Sequence, residues 1–147
     1  MKDLLILYPH GLGDCILLTP AIREFHRLTG NKVHVATLER FKSAEFFKNN
    51  PYVDKVFFTK DAWHDYENER VGFPSLYQEW KERAKANNFG GIVMPMHHRP
   101  QSKILLNFEY LGIHRTSEIK TEIFTNNEER ETALEVVDKL VGDNKFG

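Results

Sequence analysis

Four short apolar runs, each followed by a stretch with helical spacing, constrain this chain more than any other feature. "LLILY" (4–8), "KVHVATL" (32–38), "DKVFF" (54–58) and "GIVMPM" (91–96) read as strands. The first is apolar at every position, the pattern of a strand buried on both faces. Helices are expected over about 14–29, over 39–50, from Ser75 to about 87, from the "HHRPQSK" loop through Leu111, and over about 127–141. Leu17, Ala21, Phe25 and Leu28 supply a buried stripe for the first, and Gly30 stops it. Pro20 either kinks that helix or opens it with Thr19 as cap. Ser75 and Gln78 have the spacing of a capping box, with Leu76, Trp80 and Ala84 as the apolar line behind them. The stretch 59–73 has no period and reads as a loop; 117–125 reads as a short strand or extended linker. Alternating strands and helices imply a parallel sheet covered on both faces. The expected fold class is therefore α/β, a Rossmann-like sheet flanked by helices, in one domain over residues 1–147.

Composition narrows the partners. Hydrophobic residues make up 41% and charged residues 28%, the balance of an ordinary soluble globule. The net charge of -1 offers no bulk field for nucleic acid, so none is expected as a partner. A single cysteine, Cys15, excludes an internal disulfide and fits a reducing, cytoplasmic compartment. No run is long enough for a transmembrane segment, and Pro9, His10 and Asp14 interrupt what would otherwise be a signal-peptide core.

Ligands of such sheets bind at the carboxyl ends of the strands. Two segments fall there: "HGLGD" after the first strand and "MHHRPQS" after the fourth. Gly11 and Gly13 have the spacing of a dinucleotide fingerprint, but Ile16 occupies the third glycine position, and no Gly-Lys-Ser/Thr follows for a phosphate loop. Asp14 has two readings. It is a helix N-cap, or it is a general base at the cleft mouth, with the glycines letting a substrate approach the backbone. His10 is a surface histidine beside a turn, or an acceptor contact. His97, His98, Arg99, Gln101, Ser102 and Lys103 form a solvated loop, or a rim on which Arg99 and Lys103 meet anionic groups. Adjacent histidines rarely share one zinc ion, and no metal is expected. Cys15 reads as a small buried filler, and Phe46, Phe47, Phe57 and Phe58 as core. Trp63, His64, Asp65 and Tyr66 form a loop anchor, or a lid against a sugar face.

"LLILYPHGLGDCILLTPAIREF" resembles the opening of the glycosyltransferase family 9 proteins, the heptosyltransferase family: an apolar strand, a loop ending Leu-Gly-Asp, then Thr-Pro-Ala in a helix. "NPYVDKVFF" (50–58), "FGGIVMPMHHRPQSKILLNFEYLGIHR" (89–115) and "TNNEERETALEVVDKLV" are similar to later segments of that family, in the same order. The resemblance implies the N-terminal half of a glycosyltransferase-B fold, with Asp14 as catalytic base of an inverting, metal-independent transfer. His10, Gly11, Leu12, Gly13, His98, Arg99, Ser102 and Lys103, placed at the strand ends, are expected at the acceptor, which would be a glycan or lipopolysaccharide-type molecule. A nucleotide-sugar donor (ADP-heptose-like) is implied for the complete enzyme, and no other cofactor. The implied location is cytoplasmic, peripheral to the inner membrane. "PHG" stands where many members have Ser or Arg, and "MPMHH" where the family has an Asp and a glycine-bearing loop, so the acceptor is expected to differ. The donor-binding domain is expected to lie outside this chain, and a homodimer or a separate partner is expected to cover the cleft face. Two other readings remain open: a stand-alone glycan- or partner-binding module, and a nucleotide- or phosphate-binding Rossmann domain.

Overall fold

A computed structural model describes residues 3–41, 43–69, 72–97 and 102–113. The expected strand at 117–125 and helix at 127–141 lie outside the described residues. Four parallel strands, β1 (Leu4–Tyr8), β2 (Val33–Thr37), β3 (Val53–Phe58) and β4 (Gly91–Val93), form one sheet in the order β3-β2-β1-β4. β1 lies between two neighbours, Leu4 in register with Val33 on one side and Gly91 on the other. Among the described residues, five α-helices connect and follow them: α1 (Leu12–Thr29), α2 (Ser43–Lys48), α3 (Ala62–Asp65), α4 (Pro74–Ala86) and α5 (Lys103–Tyr110).

The uninterrupted apolar run of β1 has a direct cause. Ile6 and Tyr8 face one core, with Leu18, Ile22 and Phe25 of α1, Phe47 of α2 and Phe108 of α5. Leu5 and Leu7 face the other, with Leu76, Trp80 and Ala84 of α4 and Met94 and Met96. A strand roofed by helices on both sides has no solvent face to alternate toward. The alternation of core membership along β1 is the pleat itself.

Several expectations are corrected. α1 starts two residues early, with Gly11 as N-cap and no side-chain cap, so Asp14 lies within the first turn and is not the cap. Its buried line runs through Cys15, Leu18, Ala21, Ile22 and Phe25; Leu17 is only half-buried and Leu28 is exposed. The second helix is split, a 3-10 turn at Glu39–Phe41 preceding the short α2. The stretch 59–73 contains α3, capped by Asp61, whose carboxylate accepts the Trp63 N–H at 3.0 Å. No capping box forms at Ser75. Pro74 takes the first position of α4, and the Glu69 carboxylate accepts the Ser75 N–H at 3.1 Å. β4 is half its expected length. Phe47 is buried, Phe46 and Phe57 are partly so, and Phe58 is exposed.

Pro20 neither opens nor ends α1 but lies inside it. A proline there leaves the Ile16 carbonyl without its usual backbone donor. The buried Thr19 hydroxyl donates to that carbonyl at 2.7 Å and replaces the missing bond. Thr19→Val is therefore expected to cost about 1 kcal/mol in urea denaturation. In a Pro20→Ala background the cost should shrink, because residue 20 then supplies its own N–H. An equal cost in both backgrounds would show that the hydroxyl does not compensate for the proline.

Candidate functional site

Strand order fixes where a ligand can enter. From β1 the chain proceeds outward through β2 to β3, then returns to place β4 on the opposite side of β1. The carboxyl ends of β1 and β4 are thus the switch point of the sheet, where neighbouring connections diverge and leave a crevice. Residues 9–14 leave β1 here and residues 94–97 leave β4. α5 follows and packs on the same side as α1.

A buried polar knot organises this edge. Asn107, fully buried in α5, donates from its amide nitrogen to the Leu17 carbonyl at 3.1 Å and to the Tyr8 hydroxyl at 3.3 Å. The Tyr8 hydroxyl in turn donates to the backbone carbonyl of Asp14 at 3.0 Å. Burial pushes the Tyr8 phenol far above its ordinary pKa, so it stays a donor at any working pH. The Asn107 carbonyl oxygen then meets Nε2 of His97 at 3.0 Å. The Leu17 carbonyl can only accept, so it fixes the amide's orientation and obliges His97 to carry its proton on Nε2. His10 obeys the same logic. Its Nε2 lies 2.9 Å from the Pro95 carbonyl and must donate. The two imidazoles stack, centroids 4.9 Å apart and planes at 27°. Nδ1 of neither ring has a hydrogen-bond partner among the described residues.

Asp14 completes the group. One Oδ atom accepts from Lys103 Nζ at 2.7 Å, while the other has no partner among the described residues. The Asp14 side chain is 24% exposed and that of Lys103 is 47% exposed, so the pair sits at the mouth of the crevice. Gly11 is extended (φ -69, ψ 171), a conformation open to any residue, and a Cβ at Gly11 or Gly13 would meet nothing within 4 Å. These glycines keep the mouth clear without being required by the turn. Leu12 and Leu105 are exposed on the rims formed by α1 and α5. Ser102 is the exposed N-cap residue of α5.

Of the residues expected at this site, His10, Gly11, Leu12, Gly13, Asp14, Ser102 and Lys103 belong to the two loop-and-helix openings that meet here. His98 and Arg99 lie outside the described residues. His10 is not a surface histidine but is 5% exposed. Cys15 is buried, and desolvation raises its thiol to about 11, so it is inert packing. Trp63 is half exposed, its ring edge-on to Phe73 at 4.8 Å. A cavity of about 420 Å³ lined by Leu4, Phe25, Gly91, Val93, Tyr110 and Leu111 lies instead toward the start of β1 and β4. Sequence reasoning missed Tyr8 and Asn107. The signal for Asn107 was an amide inside the apolar helix "KILLNFEYL", one position before the buried Phe108.

Burial holds the His10 imidazole well below its ordinary 6.5, at about 4, against the opposing pull of the Pro95 carbonyl. A depressed folded-state pKa means the native state resists the proton that the unfolded chain accepts. The contribution is complete above pH 6.5 and is lost as pH falls through 6.5 toward 4. On the order of 3 kcal/mol is involved. His10→Gln, which can still donate to Pro95, is expected to flatten this part of the stability curve in urea titrations between pH 7 and 4. An unchanged slope would show that His10 titrates normally.

No protein-family model matches the chain, and no curated protein matches it. Among solved structures it is similar to a glycosyl transferase family 9 protein from Veillonella parvula DSM 2008, with a TM-score of 0.66 and 15% identity. The match covers 94% of this chain and 49% of that one, so the chain spans about half the length of the protein it matches. At this identity the likeness is one of fold. The family 9 resemblance read from the sequence is borne out at that level: the chain has an α/β, Rossmann-like fold like half of a glycosyltransferase-B structure. No helix among the described residues is long and apolar enough to cross a membrane.

Proposed function

We propose that this chain is the acceptor-side half of an inverting glycosyltransferase, with Asp14 as its general base. The observation that carries the reading is the state of the Asp14 carboxylate. It lies at the switch point, one oxygen held by Lys103 at 2.7 Å and the other unengaged among the described residues. The family 9 likeness of the fold adds the expected class of reaction.

In this reading an acceptor hydroxyl donates its hydrogen bond to the unengaged oxygen of Asp14. As that O–H bond breaks, the proton passes to the carboxylate and the acceptor oxygen bonds to the anomeric carbon of the donor sugar. The bond from that carbon to the phosphate breaks on the opposite face, and the nucleoside diphosphate leaves with the electron pair. Configuration at the anomeric carbon inverts. Lys103 is the positioning residue that keeps one carboxylate oxygen fixed and turns the other outward. Nδ1 of His10 and of His97 accept hydrogen bonds from neighbouring acceptor hydroxyls. The acceptor is a glycan or lipopolysaccharide-type molecule. The donor is a nucleotide-activated, heptose-like sugar, bound by a second domain outside this sequence.

Asp14→Asn tests this when transfer is measured with the donor half present, in one polypeptide or added separately. A general base contributes about 10²–10⁴-fold. The variant is expected to lose activity by that factor while acceptor binding, followed by calorimetry, persists. Undiminished transfer would make Asp14 a first-turn acid of α1 and nothing more.

A further inference from the structure

Two groups among the described residues bring three metal-ligating side chains together: His10, Asp14 and His97 at the carboxyl edge, and Asp3, His34 and Asp54 near the opposite one. They differ in how their histidines are held. Metal-binding imidazoles characteristically give their second nitrogen's proton to a carbonyl or carboxylate, which fixes the ring and frees the other lone pair. His34 has its Nε2 against Asp3 at 3.0 Å, while its buried Nδ1 has no partner among the described residues. Ligation through Nε2 would move the proton to a buried nitrogen with nothing to accept it.

His10 and His97 are held the other way. Their Nε2 protons point to the Pro95 carbonyl and the Asn107 amide oxygen, and Nδ1 of neither ring has a partner among the described residues. One ligand atom from each ring and one from Asp14 lie within 4.8 Å of one another. Two imidazoles and a carboxylate suit a first-row divalent ion, with Zn²⁺ favoured over the oxygen-seeking Mg²⁺ or Ca²⁺. Zinc–ligand distances of about 2.0–2.2 Å ask these atoms to close by up to about 1.5 Å, a movement within reach of the Asp14 side chain at the crevice mouth. Lys103 competes, but an exposed ion pair holds weakly.

We propose that His10, Asp14 and His97 bind a Zn²⁺-like cation, and that the bound ion withdraws the Asp14 carboxylate from the acceptor. Binding rests on the geometry alone; the withdrawal of a catalytic base rests on the transferase reading above. The occupied site has three protein ligands and leaves a coordination position open to water.

The test is a titration of the untagged chain with Co²⁺, followed by visible absorption and reversed by Zn²⁺. One ion per chain is expected. Asp14→Asn and His97→Ala should each weaken binding about tenfold or more. Lys103→Ala should tighten it, because the competing ammonium is gone. Asp14→Asn, at the crevice mouth, keeps the test decisive if His97→Ala does not fold. Failure to bind one Co²⁺, or affinity indifferent to Asp14→Asn, overturns the proposal; so does Lys103→Ala weakening the site. With the donor half present, transfer should persist in chelator and fall on addition of Zn²⁺. Transfer that survives without any cation binding leaves the base reading intact and removes only this one. Loss of the base reading through an active Asp14→Asn variant leaves the Co²⁺ titration to be judged by itself.

Discussion

One buried carboxamide holds the functional edge together. Asn107 reaches the Leu17 carbonyl of α1, the Tyr8 hydroxyl at the end of β1, and His97 in the segment after β4. It does so from a fully buried position in α5. An unpaired amide there would cost far more than an exposed one, so the three elements are obliged to meet it. Because Leu17 offers only a carbonyl, the amide has one orientation. That orientation sets the proton on His97, and Tyr8 passes the constraint on to the backbone of Asp14. The geometry at the mouth of the crevice is therefore a consequence of buried groups behind it.

The fold supplies the crevice by topology alone. Helices on both faces of a four-stranded parallel sheet require β1 to be apolar on both sides, and it is. The reversal of strand order beside β1 then separates the connections after β1 and β4. The last residue of β1 is Tyr8, whose ring is core and whose hydroxyl is part of the site. Packing and chemistry thus join at a single side chain. The same edge brings His10, Asp14 and His97 together, beside the uncrowded Gly11 and Gly13.

Much of this was legible in the sequence, and the reasons for the misses are physical. Strand runs and the stops at Gly30 and Gly112 could be read because burial on both faces and positive φ (73° and 75°) leave local signatures. The place of Asp14 at the carboxyl edge was legible from its position after a strand and a glycine loop. Its exact helical position was not, because α1 begins at Leu12 with Gly11 as an N-cap that offers no side chain. Pro20 misled because its cost is met by Thr19, a compensation that requires knowing the helix is continuous. Ser75 misled because Glu69, six residues earlier, caps α4 from the preceding loop. The partnership of His10 with Pro95 spans 85 residues, and that of Lys103 with Asp14 spans 89. Contacts of that range have no periodicity to betray them; only the odd amide in an apolar helix hinted at the knot.

The cation reading depends on one claim: the Pro95 carbonyl and the Asn107 amide oxygen hold a proton on Nε2 of His10 and of His97. Long-range ¹H–¹⁵N spectra of the imidazoles at neutral pH test this directly. Two rings with a protonated, pyrrole-like Nε2, that of His97 lost in Asn107→Ala, are the expected result. A ring whose Nε2 lacks its proton would mean that the knot does not govern the site, and the assignment of His10 and His97 to a cation site would fall with it.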